Sequence, residues 1–193
     1  MTSEESIRAF LAGYAELSQA ERDAMLEDAI GLSPKTAADN QRVWDLATPL
    51  IGLPVGEWPD FDLAWDLRLE SQHHVYDGVS SSEFAQSHPT GLLVAHVNLA
   101  DLDAKLTPHS YRTAAEVWGV GNDRKAAKLV VRWSEGMQIT PPLVKSFSGQ
   151  ITLPGGNHRL AVARAKGVAT VPVLVVPSDR EAVQAILESL VFA

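Results

Sequence analysis

The sequence predicts an α+β fold, and three observations point to it. Residues 151–176 read as strand, glycine turn, short helix, glycine stop and strand. Residues 92–99 form a further apolar run of strand length. The first half of the chain instead carries apolar residues at helical spacing between capping signals.

The central unit justifies itself step by step. Residues 151–153 are apolar and extended in pattern, and Pro154-Gly155-Gly156 is turn chemistry, because glycine reaches backbone conformations closed to other residues. Leu160, Ala161 and Ala165 have the spacing of a helix face, with Gly167 where a C-terminal glycine stop belongs. Residues 171–176 are almost continuously apolar, the pattern of a strand covered on both faces.

Upstream, Ser3 can cap a helix over residues 4–16 with Ile7, Phe10, Leu11 and Tyr14 on one face. Ser18-Gln19-Ala20-Glu21 has capping-box form before a second helix ending near Gly31. Ser33-Pro34 sets a cap before a first-turn proline and opens a third helix carrying Val43, Trp44 and Leu46. Residues 52–91 are broken by Pro54, Gly56, Pro59 and Gly78, with a short helix signalled by Ser80-Ser81-Ser82-Glu83. Trp58, Phe61 and Trp65 read as anchors to the core rather than as a base-stacking platform. His73-His74 has no metal-site spacing, and His96 reads as a strand residue.

In the second half, Thr113-Ala114-Ala115-Glu116 is another capping box, cut short by Gly119 and Gly121. Asn122 caps a helix over residues 123–134, stopped by Gly136, with Ala126, Leu129, Val130 and Trp133 on its apolar face. Lys125, Lys128 and Arg132 fall at i, i+3 and i+7 and form one basic stripe. A last helix opens at Ser178-Asp179-Arg180-Glu181. The expected division is an acidic helical extension, residues 1–91, packed on a phosphate-binding domain, residues 92–193.

Composition narrows the function. At 193 residues the chain can bury a real core, and 46% hydrophobic with 21% charged residues is ordinary for a globular protein. With no cysteine there is no disulfide, thiolate metal site or cysteine nucleophile. The acidic start, Met1-Thr2-Ser3-Glu4-Glu5, lacks the layout of a secretory signal, and no apolar run reaches the roughly 20 residues of a membrane helix, so a cytoplasmic protein is expected. Residues 1–100 hold 5 basic and 16 acidic side chains, whereas residues 101–170 hold 10 basic and 5 acidic ones. Positive charge therefore gathers in the segment that carries the glycine turn, which suits an anionic ligand there.

The turn itself suits an anion. Amides of Gly155, Gly156, Asn157 and His158 precede or open a helix, where they lack intrahelical partners and the helix dipole adds positive charge. His158 and Arg159 add side-chain donors, and bare glycines would let phosphate approach the backbone. A plain strand-turn-helix connection with a surface His-Arg pair remains the alternative on local spacing.

The run Gly-Gly-Asn-His-Arg-Leu-Ala-Val-Ala-Arg-Ala-Lys-Gly-Val-Ala-Thr-Val-Pro-Val, from Gly155, resembles the signature of the ParB/sulfiredoxin superfamily. Val97-Asn98-Leu99-Ala100-Asp101-Leu102 resembles that family's opening strand, and Gln138-Ile139-Thr140-Pro141-Pro142-Leu143-Val144 its Pro-Pro strand. The three segments agree in order and spacing over about residues 92–177. The resemblance implies a small mixed sheet with surrounding helices. It also implies nucleotide phosphates held between the turn and the helix carrying Lys125, Lys128 and Arg132, of which only Lys125 keeps the family's residue type.

Departures from the family matter as much. Asn157 stands where sulfiredoxins carry a cysteine, so sulfinic-acid reduction by that route is excluded. About 16 residues follow Pro177, so the helix-turn-helix and dimerisation domains of a chromosome-partitioning clamp are not expected. The resemblance then implies a stand-alone member, with plasmid fertility-inhibition (oncogenic suppression) factors among those of similar size. The leading expectation is a plasmid- or phage-encoded phosphohydrolase, hydrolysing ATP or cleaving DNA. In it Gly155, Gly156, Asn157, His158 and Arg159 hold phosphate, Arg159 neutralises developing charge and His158 donates a proton or binds phosphate. Mg2+ would assist, with Asp101, Asp103, Glu116 and Glu135 as candidate ligands. The alternatives are a binding protein without turnover that blocks a DNA-transfer protein, and a small-molecule kinase.

Overall fold

The computed structural model describes residues 37–76 and 79–193. The helices expected over residues 4–16 and from Ser18 to Gly31, the Ser33-Pro34 start and the break at Gly78 lie outside the described residues.

The described helices are α1 (Ala37–Ala47), α2 (Ser81–Ser87), α3 (Leu99–Lys105), α4 (Asp123–Ser134), α5 (Asn157–Ala165) and α6 (Arg180–Ile186). The strands are β1 (Leu93–Asn98), β2 (Leu143–Phe147), β3 (Gln150–Gly155), β4 (Thr170–Val175) and β5 (Val191–Phe192). They form one mixed sheet in the order β3-β2-β4-β1-β5, so the fold is α+β. β2 and β4 run parallel, and the other neighbouring pairs are antiparallel. No helix among the described residues is long and apolar enough to cross a membrane.

Local chemistry accounts for most of these boundaries. Ser148 and Gly149 both have positive φ (50° and 76°), the requirement of a type I′ turn, and they close the β2-β3 hairpin. The Asn98 side chain accepts from Ala100 N–H and ends β1 by starting α3, so residues 99–102 are helical where the family pattern suggested strand. The Pro-Pro segment is likewise not strand. β2 begins only at Leu143, after two residues that lack an N–H. Pro172 is tolerated inside the central strand β4 because the parallel ladder begins later: Leu174 N–H reaches Pro142 O at 2.8 Å, and no β2 residue is paired with Pro172.

β4 is covered on both faces, as its apolar run predicts. Val171, Val173 and Val175 pack with Leu99 and Leu102 of α3, Leu160 and Ala163 of α5, and Val183 of α6. Leu174 packs on the other side with Leu143, Val75 and Phe84. A second layer joins α4 to α5: Trp133 and Val130 meet Ala161 and Val162, with Trp58 and Phe61 filling the remaining space. α5 is thus embedded between two clusters, which explains its short, alanine-rich sequence.

Three expectations need correction here. The buried stripe of α1 is Asn40, Val43 and Ala47 at i, i+3 and i+7, and Leu46 is 48% exposed instead of facing the core. The Thr113–Glu116 capping box forms, but it opens a 3-10 segment (Ala114–Gly119) rather than an α-helix. Asp179 does not cap α6 either: its carboxylate takes Ser146 N–H at 2.6 Å and the Ser146 hydroxyl at 2.5 Å, tying α6 to β2.

Candidate phosphate site at the starts of α4 and α5

β3 runs into Gly155, and Gly156 turns the chain into α5 with φ +93°. Both glycines are required by chain packed against them. A Cβ on Gly155 would lie 1.9 Å from Val75 O, and one on Gly156 would lie 2.6 Å from Pro142 Cα. The expectation that bare glycines leave phosphate room on that side is therefore corrected: other backbone occupies it. The first helical bond of α5 runs from Leu160 N–H to Gly156 O at 3.0 Å, so the N–H groups of Asn157 and His158 precede the helical ladder. Gly156 contributes no side-chain cap, and the Asn157 amide turns back to Leu153 O at 3.3 Å.

His158 lies where two helices begin. Its Nε2 is 3.8 Å from the position a Cβ on Gly121 would take, which places the ring against the residues that lead into α4. There Asn122 caps α4 by accepting from Arg124 N–H at 3.0 Å. The starts of α4 and α5 therefore converge at His158, and their dipoles add positive potential at one place. Nε2 is shielded from solvent and makes no hydrogen bond. Burial, followed by the charge of Lys125, lowers the His158 pKa below its ordinary value; Arg159 adds to this, and the backbone carbonyls of Val120 and Asn122 partly oppose it.

Arg159 has another task. Nη1 donates to Thr140 O (2.7 Å) and Pro141 O (3.1 Å), while Nη2 donates to His74 O (2.9 Å). It clamps the 3-10 segment Leu69–Val75 and the Pro-Pro loop around the turn, the same two segments that press on Gly155 and Gly156. Its charge remains near the site, but those donors are aimed at carbonyls.

The basic stripe divides. Lys125 is exposed and bears on His158. Lys128 instead sets its Nζ 5.6 Å from the centre of the Trp44 ring on α1, where Arg124 also stacks. Arg132, two turns along, bears on Glu135. Three positions that share a stripe in sequence thus bear on three different neighbours.

The candidate metal ligands are all engaged elsewhere. Asp101 accepts from Ser189, Asp103 pairs with Arg164, Glu116 caps Thr113 and Glu135 pairs with Arg42. Among the described residues no group of three metal-ligating side chains forms. The His73 and His74 ring centres lie 3.8 Å apart with the planes tilted by 48°, and His73 Nδ1 is 2.7 Å from Glu70 O.

No family model, curated protein or solved structure matches this chain. Its chemistry is read from its own geometry. That geometry also contains parts sequence reasoning missed: the His74 and Val75 carbonyls, Pro142 and the Val120–Asn122 segment. Gly121 and the Asn122 cap were visible signals, but nothing local linked them to His158, 36 positions later.

Proposed function

We propose that the chain is a phosphate-binding protein whose ligand is a nucleotide, with ATP as the first candidate. The observation that carries this reading is the convergence of the α4 and α5 starts at His158, with Lys125 beside it and the Asn157 and His158 amides ahead of the helical ladder. Uncapped amides, two dipole ends and an exposed ammonium group attract the same kind of ligand. The resemblance of residues 92–177 to ParB/sulfiredoxin proteins supports the same placement.

Binding is favoured over turnover for a specific reason. Asp101, Asp103, Glu116 and Glu135 each hold another part of the fold, which leaves Mg2+ to arrive with the nucleotide rather than in a protein cage. ATP hydrolysis or DNA cleavage is the second reading, with His158 as the group that binds or protonates phosphate. Action on a DNA-transfer partner, as in fertility inhibition, rests on the resemblance alone.

The test is a thermal-shift series on the full chain with sulfate, ATP, ATP plus Mg2+ and a short DNA duplex, run beside ATP-hydrolysis and plasmid-nicking assays. A ligand at about 100 times its Kd adds roughly 2.7 kcal/mol, a readily measured rise in Tm. Stabilisation by ATP without turnover is the expected result. Turnover with Mg2+ selects the hydrolase reading, and no shift with any of the four ligands refutes phosphate binding.

A further inference from the structure

An open cleft of about 370 Å³ lies at the start of β4, and none of the residues of the α4/α5 junction lines it. Its walls come from two distant parts of the chain. One is the loop carrying Asp62, Leu63 and Trp65; the other is the sheet, with His96 of β1 beside Thr170 and Pro172 of β4. His96 and Pro172 are direct partners across the antiparallel β1-β4 pair, so their side chains share one face. Backbone bonds hold the loop: Asp66 N–H donates to Ile139 O at 2.9 Å, and Ile139 N–H to Ala64 O at 3.0 Å. Trp65 meets Trp133 edge-on, ring centres 5.3 Å apart, and the Trp133 indole N–H donates to Ala64 O at 2.9 Å. The cleft is therefore formed before any ligand arrives. Its volume falls in the roughly 300–1,000 Å³ range of small-molecule clefts, and its surface is mostly apolar.

The polar groups of this cleft are uncommitted. Among the described residues, the Asp62 carboxylate, the His96 imidazole, the Thr170 hydroxyl and the Trp65 indole N–H have no hydrogen-bond or ion-pair partner. The indoles of Trp58, Trp118 and Trp133, by contrast, all donate to backbone carbonyls. The local charge has one sign. Residues 52–66 carry Glu57, Asp60, Asp62 and Asp66 and no basic side chain. No lysine or arginine lines the cleft, and Lys166 sets its Nζ over the Phe61 ring at 4.4 Å and 3.9 Å from Asp60. A carboxylate without a counterion, an aromatic wall, and acceptor positions on an imidazole and a hydroxyl select a cation with an apolar body. We infer that the cleft binds a small organic cation, an ammonium group carried on an apolar frame the size of an aromatic ring. The ammonium donates to Asp62, with His96 and Thr170 as further acceptors, while the frame lies against Trp65, Leu63 and Pro172. No bond is made or broken, and the inference stands apart from the phosphate-binding reading.

Phenethylammonium is the probe, with phenethyl alcohol and hydrocinnamate as its neutral and anionic counterparts. Calorimetric titration of the full chain at low ionic strength would rank the three, and NMR of the wild-type protein would locate them through the Trp65 indole and His96 ring signals. Phenethylammonium is expected to bind about tenfold tighter than the alcohol, since its charge adds an ion pair and a cation–π contact, and hydrocinnamate is expected to bind least. Asp62→Asn should weaken the ammonium about three- to fivefold and leave the alcohol unchanged. Asp62 is exposed, so this variant keeps the packed core intact. Equal affinity for ammonium and alcohol, or no effect of Asp62→Asn, overturns the choice of a cation. No binding, or shifts that bypass Trp65 and His96, overturns the site. Binding of a lysine-bearing peptide but not of phenethylammonium also overturns it and assigns the cleft to a protein partner. None of these probes is a phosphate, so failure here leaves the phosphate-binding reading to its own test.

Discussion

The guanidinium of Arg159 donates from Nη2 to the carbonyl oxygen of His74 at 2.9 Å, across 85 positions of sequence. Two further bonds from Nη1 reach Thr140 and Pro141. One side chain on the first turn of α5 therefore fixes two segments that wrap the glycine turn. Arg159→Ala removes three charge-assisted bonds and strands their part-buried acceptors. A loss of about 2–5 kcal/mol in urea unfolding is expected, allowing for partial rehydration. Arg159→Lys should recover little, since an ammonium group cannot span the fork of carbonyls. An Arg159→Ala protein of unchanged stability that has lost sulfate binding would instead make Arg159 a ligand group.

The glycines should differ sharply in tolerance. Gly155→Ala drives a methyl group into Val75 O, backbone that cannot swing aside, so a failure to fold or a Tm lower by well over 10 °C is expected. Gly136 also has positive φ (76°), but nothing lies within 4 Å of its missing Cβ. Gly136→Ala should cost only about 1 kcal/mol. Parallel thermal melts would compare the two.

Lys125 and Lys128 offer the cleanest internal control for the ligand site. Lys125→Ala should reduce the sulfate-induced rise in Tm by at least half. Lys128→Ala should leave it intact, because that ammonium lies over Trp44. Equal effects from both substitutions would mean that general positive charge, rather than the junction, draws the anion.

Arg164 is only 8% exposed and meets Asp103 through two bonds, Nε–Oδ2 at 2.8 Å and Nη2–Oδ1 at 2.5 Å. This pair joins α5 to α3. Asp103→Ala leaves a buried guanidinium without its counterion and should cost about 3–5 kcal/mol, measured as a lower urea midpoint.

Stability should depend on pH in two windows. Hydrogen bonding from Arg68 lowers the Asp66 pKa to about 2, so its contribution is complete above the unfolded value near 4 and is lost as pH falls through about 2. His158 has a folded pKa below its unfolded value, so the unfolded chain takes the proton first. Stability then declines as pH drops below about 6.5 and levels off below the folded value. Urea unfolding against pH should show both declines. Asp66→Asn should erase the lower one and His158→Gln the upper.

Much of the fold was legible because its signals are local. The Asn122 cap, the Gly136 stop and the two-faced strand β4 each follow from neighbouring residues, and each forms, whereas the expected Pro154-Gly155-Gly156 turn shrinks to Gly156 because β3 runs on through Gly155. The Pro-Pro loop and the end of β1 depart from the family pattern because the two prolines lack an N–H and Asn98 caps α3. At the site, local residues marked where a helix would open behind a glycine and that Lys125, His158 and Arg159 would be cationic or titratable. Tertiary structure alone decided their tasks. Whether an arginine meets a phosphate or three carbonyls, and whether a basic stripe stays together or divides between Trp44 and His158, depends on which distant segments pack against it. Those contacts span tens of residues and leave no periodicity in the chain.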